Sequence, residues 1–358
     1  GKILEVTNCD LAIIGANVVD AKGMYVVPGF IDMHVHGGGG RDFQEGTEDA
    51  FRTAVAAHGK HGTTCIFPTL SSSTVPMIER AVETCNKLMK EKDSPILGLH
   101  LEGHYINHNK AGAQIHDWIK NPDPNEYIPI VEHSDCLTRW DAAPELPGAL
   151  QFGRYCAEKG ILPSIGHTNA EYEDFEAGFT HVTHFYNAMP GFHNKMGYKY
   201  EGTVESVYLI DDMTIECIAD GIHVPPTILR MAYKIKGVER MALITDALAV
   251  AASGPDAKAF DKRVIIEDGV CKLADRSALA GSIATTDRLV RTMVLQAEVP
   301  LEDAVRMASE TPAHIMGISG RKGALSRGKD ADVLILDEKL KVRCVWQMGR
   351  IIENSLFQ

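Results

Sequence analysis

Val27-Pro28-Gly29-Phe30-Ile31-Asp32-Met33-His34-Val35-His36-Gly37-Gly38 is an apolar run that ends in two histidines and opens at once into glycines. On a strand, residues i and i+2 point to the same face. His34 and His36 therefore project side by side at the end of a buried strand. Two imidazoles aimed at one point are what a divalent transition metal needs. The plainer reading is a half-buried strand whose histidines make ordinary hydrogen bonds. The rest of the chain decides between the two.

Downstream, strand and helix patterns alternate. Ile31–His36 leads into a helix from Thr47 to about Lys60, and Thr63–Pro68 into one from Val75 to about Lys90. On the latter, Val75, Ile78, Val82, Cys85 and Met89 keep the 3–4 spacing of one apolar face. The strand Ile96–Glu102 precedes a loop-rich stretch to about Asn125. Arg139–Ala143, Leu162–His167, His181–Phe185, Met213–Ala219 and Met241–Asp246 continue the strand series. Helices at Ala149–Lys159 and Pro226–Lys236, a short acidic helix after His167, and a Gly-, Lys- and Tyr-rich loop after Phe185 lie between them. This spacing predicts an α/β fold, a (β/α)8 TIM-like barrel over residues 28–320. An open doubly wound sheet is the alternative, but its GxGxxG fingerprint occurs at no suitable place.

The two ends, 1–27 and 321–358, read as short strands joined by polar turns: Ile3–Val6, Leu11–Ile14 and Met24–Val27, then Ala331–Asp337, Val342–Trp346 and Arg350–Ile352. They are expected to combine into one small β unit beside the barrel. The N-terminal share is short for that job, which suggests a chain that starts late.

A formal net charge of -12 repels polyanions, and no long Lys/Arg block offsets it, so nucleic acid is not an expected partner. The eight cysteines form no CxxC pair. Cys65 and Cys217 lie in apolar strand-like runs and read as buried thiols, a pattern that fits a reducing compartment. No signal peptide is recognised and no apolar run approaches the roughly 18–20 residues of a membrane span. The expectation is a cytoplasmic protein without a membrane partner.

In a barrel, catalytic groups sit at the C-terminal ends of strands. Here those ends carry His34 and His36, then His100-Leu101-Glu102-Gly103, Gly166-His167-Thr168, Thr183-His184 and Thr245-Asp246-Ala247. One such histidine is a core residue by default, but a recurrence at the same end of successive elements points to a shared metal centre. Histidine nitrogens with one carboxylate suit zinc or iron rather than magnesium or calcium. Glu102, His167 and His184 leave a coordination position open for water. His34 and His36 supply part of a second site that Glu102 can bridge, giving one or two ions per subunit. Asp246 is left to move protons. Of the other histidines, His58 and His61 read as solvated on the barrel exterior, His100 as sitting behind the ligands or in the core, and His181 as structural.

The opening stretch resembles the entry motif of the metal-dependent amidohydrolase superfamily, and Gly328-Lys329-Asp330-Ala331-Asp332-Val333 resembles its return into a β-sandwich. The strand-end motifs, with Phe185-Tyr186-Asn187-Ala188-Met189 and Asp220-Gly221-Ile222-His223, are similar to the family of N-acetylglucosamine-6-phosphate deacetylases over nearly the whole chain. The resemblance implies a barrel with a small β-sandwich from 1–27 and 321–358. It implies Glu102, His167 and His184 as main metal ligands, with His34 and His36 as the pair present in members thought to bind two metals. It also implies the chemistry: metal-activated hydroxide attacking an acetamide, and a protonated aspartate matching Asp246 delivering its proton to the departing amine. Asn187 and the Ala188 backbone match phosphate contacts and His223 a sugar contact. Members are typically homodimers, with one basic side chain crossing into the neighbour's site.

Three departures bear on the amino-sugar substrate. His104 stands where the family usually has proline. Gln114, which donates a hydrogen bond but carries no charge, replaces a histidine that holds the acetyl carbonyl. Lys195 replaces a phosphate-binding arginine; lysine offers a point charge and no planar fork. It is equally a solvated loop lysine, and Tyr198 and Lys199 in the same loop are substitutes. An alternative is an amidohydrolase acting on an unphosphorylated or differently acylated sugar or amide. Cyclic-amide hydrolases that bridge two metals with a carbamylated lysine are disfavoured, because no candidate strand end offers a lysine. A sugar-binding protein on a retired scaffold is disfavoured by retention of every ligand together with Asp246.

Overall fold

The computed structural model describes residues 1–9, 11, 13–175, 178–254 and 261–356. Eight parallel strands pair in chain order: β1 Phe30–Val35, β2 Thr63–Leu70, β3 Leu99–Tyr105, β4 Leu137–Ala142, β5 Leu162–Ile165, β6 His181–Val182, β7 Thr214–Ile218 and β8 Met241–Ile244. They read as continuous apolar runs because a parallel sheet is covered on both faces; every residue of β2 is buried. At the C-terminal end of the seam between β8 and β1, the Asp246 N–H donates to the His34 carbonyl (2.9 Å) and the His36 N–H to the Ala247 carbonyl (2.9 Å). Beneath these, the Thr245 hydroxyl donates to Asp32 Oδ2 at 2.5 Å. The barrel is thus nearly closed.

Helices fill the connections. The helix Val75–Met89 starts after Thr74 with a proline in its first turn and buries Ile78, Ala81, Val82, Cys85 and Leu88. Each fully buried aliphatic chain of that stripe contributes roughly 1.5–3 kcal/mol. Glu48–Gly59, Ala149–Glu158 and Pro226–Lys236 occupy the expected places. The acidic stretch after His167 contains a single 3-10 turn, Tyr172–Asp174, among the described residues. The basic loop after Phe185 carries a short hairpin, His193–Lys195 with Tyr198–Tyr200. A second hairpin, Val264–Glu267 with Val270–Leu273, follows β8.

The termini meet as expected, in one antiparallel sheet ordered Tyr25–Pro28, Val333–Leu336, Val342–Gln347, Arg350–Asn354. Ile3–Val6 and the described part of Leu11–Ile14 form no strand; ahead of Tyr25 the described residues make one bridge, Lys2 to Asp330. Leu4, Val6, Leu11, Ile13 and Ile14 are all exposed, so this stretch has no packed face to order it as a sheet.

Candidate metal centre and active site

The strand ends converge on one cavity of about 450 Å³ at the C-terminal mouth. His167, His184 and Asp246 each leave their strand with φ in the left-handed region, at 49°, 28° and 47°. For residues with a Cβ this costs on the order of 1–3 kcal/mol apiece, a strain that functional sites commonly hold.

Two buried triads face each other. In the first, Glu102 Oε1 lies 3.0 Å from His167 Nε2 and 2.9 Å from His184 Nε2, and the two nitrogens are 3.1 Å apart. In the second, His36 Nε2 lies 3.3 Å from His34 Nε2 and 3.0 Å from Asp246 Oδ1, with His34 Nε2 3.5 Å from the same oxygen. Glu102 spans the gap: Oε1 is 3.7 Å from His34 Nε2 and Oε2 is 3.3 Å from His36 Nε2. Tetrahedral ligands at about 2.0–2.2 Å from an ion stand roughly 3.3–3.6 Å from one another. These separations fit such an arrangement, the first triad slightly drawn in.

The rings are held from behind. His167 Nδ1 donates to the Lys110 carbonyl (2.7 Å), His34 Nδ1 meets Glu216 Oε1 (2.7 Å), and His36 Nδ1 meets the Ser71 hydroxyl (3.2 Å). Each contact leaves Nε2 pointing into the cluster, the arrangement metal-binding histidines require. Burial disfavours charge on His36 and His184, but the carboxylates beside them prevail. Asp246 and Glu102 raise His36 well above free imidazole, and Glu102 lifts His184 to about 9. Burial likewise works against the charge on Glu102, yet His167, His184 and His36 hold it well below the usual carboxylate range. Asp246 is also lowered, with His36 and His34 outweighing its burial. A cation between the triads would offset the same carboxylate charge.

The remaining expected residues divide. Asn187, Ala188, His223 and Gln114 line the cavity. His223 Nδ1 is tied to Asp220 Oδ2 (2.8 Å), while its buried Nε2 and the hydroxyl of cavity-lining Ser72 have no partner among the described residues. Those are ready anchors for a polar ligand. Gln114 donates to Glu102 Oε2 (2.7 Å) and accepts from the Ser72 N–H (2.7 Å), so part of its amide is committed to a triad residue.

His104 is a correction, as it does not line the cavity. Its Nε2 lies 2.6 Å from Glu126 Oε1, and its ring packs edge-on against Tyr105 and Trp140. Lys195 also lies off the cavity wall, half-exposed on its hairpin, 3.1 Å from Glu171 Oε1 and above the Tyr200 ring. The cationic residues among the described lining are Lys110 and Arg263.

His58 is a second correction: it is fully buried, with Nε2 2.9 Å from the Gly37 carbonyl. Burial lowers its pKa to about 4. His100 sits behind the triads, between Thr69 and Asp141 (2.8 Å), its ring against His34. His181 joins Thr214 and Glu216. Unanticipated in the cavity wall is Asp42, whose carboxyl burial raises to about 6. Its place two residues past a glycine run gave no distinguishing signal. Beneath the cavity, Arg139 and Glu216 were also missed, although a charge inside an apolar strand is a legible signal.

Residues 25–352 match the amidohydrolase family. The N-acetylglucosamine-6-phosphate deacetylase of Lysinibacillus sphaericus is 32% identical over 375 residues, covering 98% of this chain and 91% of that protein. The Vibrio furnissii deacetylase of the same name is 33% identical, covering 95% and 86%. Among solved structures, the Pasteurella multocida N-acetylglucosamine-6-phosphate deacetylase superposes with a TM-score of 0.92 at 28% identity, over 99% of this chain and 93% of its own. A mutant Mycobacterium smegmatis deacetylase in complex with N-acetyl-D-glucosamine-6-phosphate gives 0.86 at 31% identity, over 92% and 87%.

Proposed function

Because the chain belongs to the amidohydrolase family, we propose that it is a metal-dependent deacetylase, hydrolysing N-acetylglucosamine-6-phosphate to glucosamine-6-phosphate and acetate. The observation that carries this reading is the pair of triads that share Glu102 and open into one cavity.

Glu102, His167 and His184 hold one cation; His34, His36 and Asp246, with Glu102 between, hold a second. Nitrogen-rich sets of this kind suit zinc or ferrous iron. Bound there, such an ion makes water a stronger acid and polarises a carbonyl. Asp246 takes a proton from the attacking water and returns it to the departing sugar nitrogen. Its depressed pKa supports the first role, since it starts ionised. His223 Nε2 and the Ser72 hydroxyl hold sugar hydroxyls, Gln114 fixes the Glu102 carboxylate beside the acyl group, and Asn187 with the Ala188 backbone receives phosphate.

Lys195 acts in the neighbouring site of a homodimer; Phe192, Met196 and Tyr198, exposed on and beside the same hairpin, suit a face covered by a second copy. The working compartment is the cytoplasm, a reading that the free cysteines, seven of them buried, support.

The test is acetate release by the zinc-loaded protein, comparing kcat/KM on N-acetylglucosamine-6-phosphate and on the unphosphorylated sugar. Strong preference for the phosphate ester is expected. Comparable or negligible rates on both would move the substrate to another acylated sugar or amide.

A further inference from the structure

We infer that Glu216, clamped by Arg139, is a positioning residue that orients His34 for the second cation site and ties its strand end to that of His184. The inference rests on the two-cation reading above. Neither residue lines the cavity; both are fully buried in the barrel interior beneath it.

Glu216 Oε1 reaches a residue of each triad. It lies 2.7 Å from His34 Nδ1 and accepts the backbone N–H of His184 at 3.2 Å. Arg139 grips both carboxylate oxygens, at 2.5 and 2.8 Å. The same guanidinium donates to the Met33 carbonyl (3.4 Å) and the Thr183 hydroxyl (2.7 Å), the residues that precede His34 and His184. One ion pair therefore ties together the two strand ends that carry a ligand of each triad.

An ionised carboxylate only accepts hydrogen bonds, so His34 must carry its proton on Nδ1 and offer the lone pair of Nε2. The opposite tautomer would set a ring lone pair against a buried carboxylate, which is costly in a dry interior. His36 has no such enforcement, since its Nδ1 faces a Ser71 hydroxyl able to donate or accept. Glu216 is thus the group that commits the second site to a metal-ready tautomer. Arg139 supplies the counter-charge for the carboxylate in that interior, gripping both of its oxygens with one guanidinium.

The experiment titrates metal-stripped protein with Zn²⁺ against a chelating dye and reads histidine tautomers from long-range ¹⁵N–¹H spectra of the zinc-loaded protein. Native protein should take two ions per protomer and show His34 protonated at Nδ1. Glu216→Gln should keep the ion at Glu102, His167 and His184, weaken the second by about 10–100-fold, the usual effect of losing such a partner, and mix the His34 tautomers. Unchanged affinity for both ions in Glu216→Gln overturns the inference. A native protein that takes only one ion ends the two-cation reading, and this inference with it, before any variant is made. Should Glu216→Gln fail to fold by circular dichroism, the native spectrum decides: a proton on Nδ1 of His34 sustains the role and one on Nε2 refutes it.

Discussion

Arg139→Met is the sharpest stability test of the charged layer under the active site. Arg139 is fully buried, its guanidinium spread over Glu216, Ser164, Thr183 and the Met33 carbonyl. Methionine keeps much of the length and removes the charge, leaving Glu216 in the barrel with only imidazoles and a backbone N–H for company. Breaking a buried pair from one side costs about 3–5 kcal/mol, because the abandoned charge stays desolvated. Unfolding entropy of about 2.1 cal/mol/K per residue over 358 residues is about 0.75 kcal/mol/K. The melting temperature should therefore drop by about 4–7 °C. Adding Glu216→Gln should recover most of that loss, since removing both partners is far cheaper than removing one. The assay is scanning calorimetry in chelator at neutral pH and one fixed scan rate, because a protein of this size can unfold irreversibly. If Arg139→Met melts within about 1 °C of the parent, or the double variant melts below the single one, the charge pair is not what holds this layer.

Other outcomes follow from the same geometry. Asp246→Asn should lower kcat by about 10²–10⁴ while the ion at Glu102, His167 and His184 is retained; an unchanged kcat removes Asp246 from proton transfer. Glu102→Ala removes a carboxylate that contacts all four triad histidines, so elemental analysis should find metal and activity lost together. A fully metallated, active variant would show the site to be elsewhere. His58 is neutral in the fold down to about pH 4, whereas the unfolded chain protonates it near 6.5. Between those values the unfolded state binds more protons, so stability falls as pH falls, by up to about 3 kcal/mol from this group. His58→Gln should flatten the slope of unfolding free energy across that window by up to one proton; equal slopes would assign the loss to other groups.

The barrel was legible because its strands are buried on both faces and its helices keep one apolar stripe, as in Thr63–Leu70 and Val75–Met89. The residues of the two triads were legible because imidazole or carboxylate at the end of an apolar run is costly without a partner. Two histidines were misplaced beside glycines. His104 is two residues past Glu102, and period-two alternation puts both on one face. Gly103, at φ 94°, breaks that alternation and turns His104 towards Glu126. His58 looks exposed near a helix end, but Gly38 has no Cβ, and one placed there would stand 2.8 Å from the His58 ring. The loop therefore closes on the imidazole and buries it. Arg139 and Glu216 escaped for a different reason: they lie inside strands, and attention to strand ends passes over them. Yet Leu137–Ala142 carries Arg139 and Asp141 on one face, and Thr214–Ile218 carries Glu216 among apolar residues. A buried charge needs a partner, and in the barrel Arg139 meets both carboxylates, Glu216 at 2.5 Å and Asp141 at 3.5 Å. One layer below those strand ends, Glu216 is the carboxylate that meets His34 from behind.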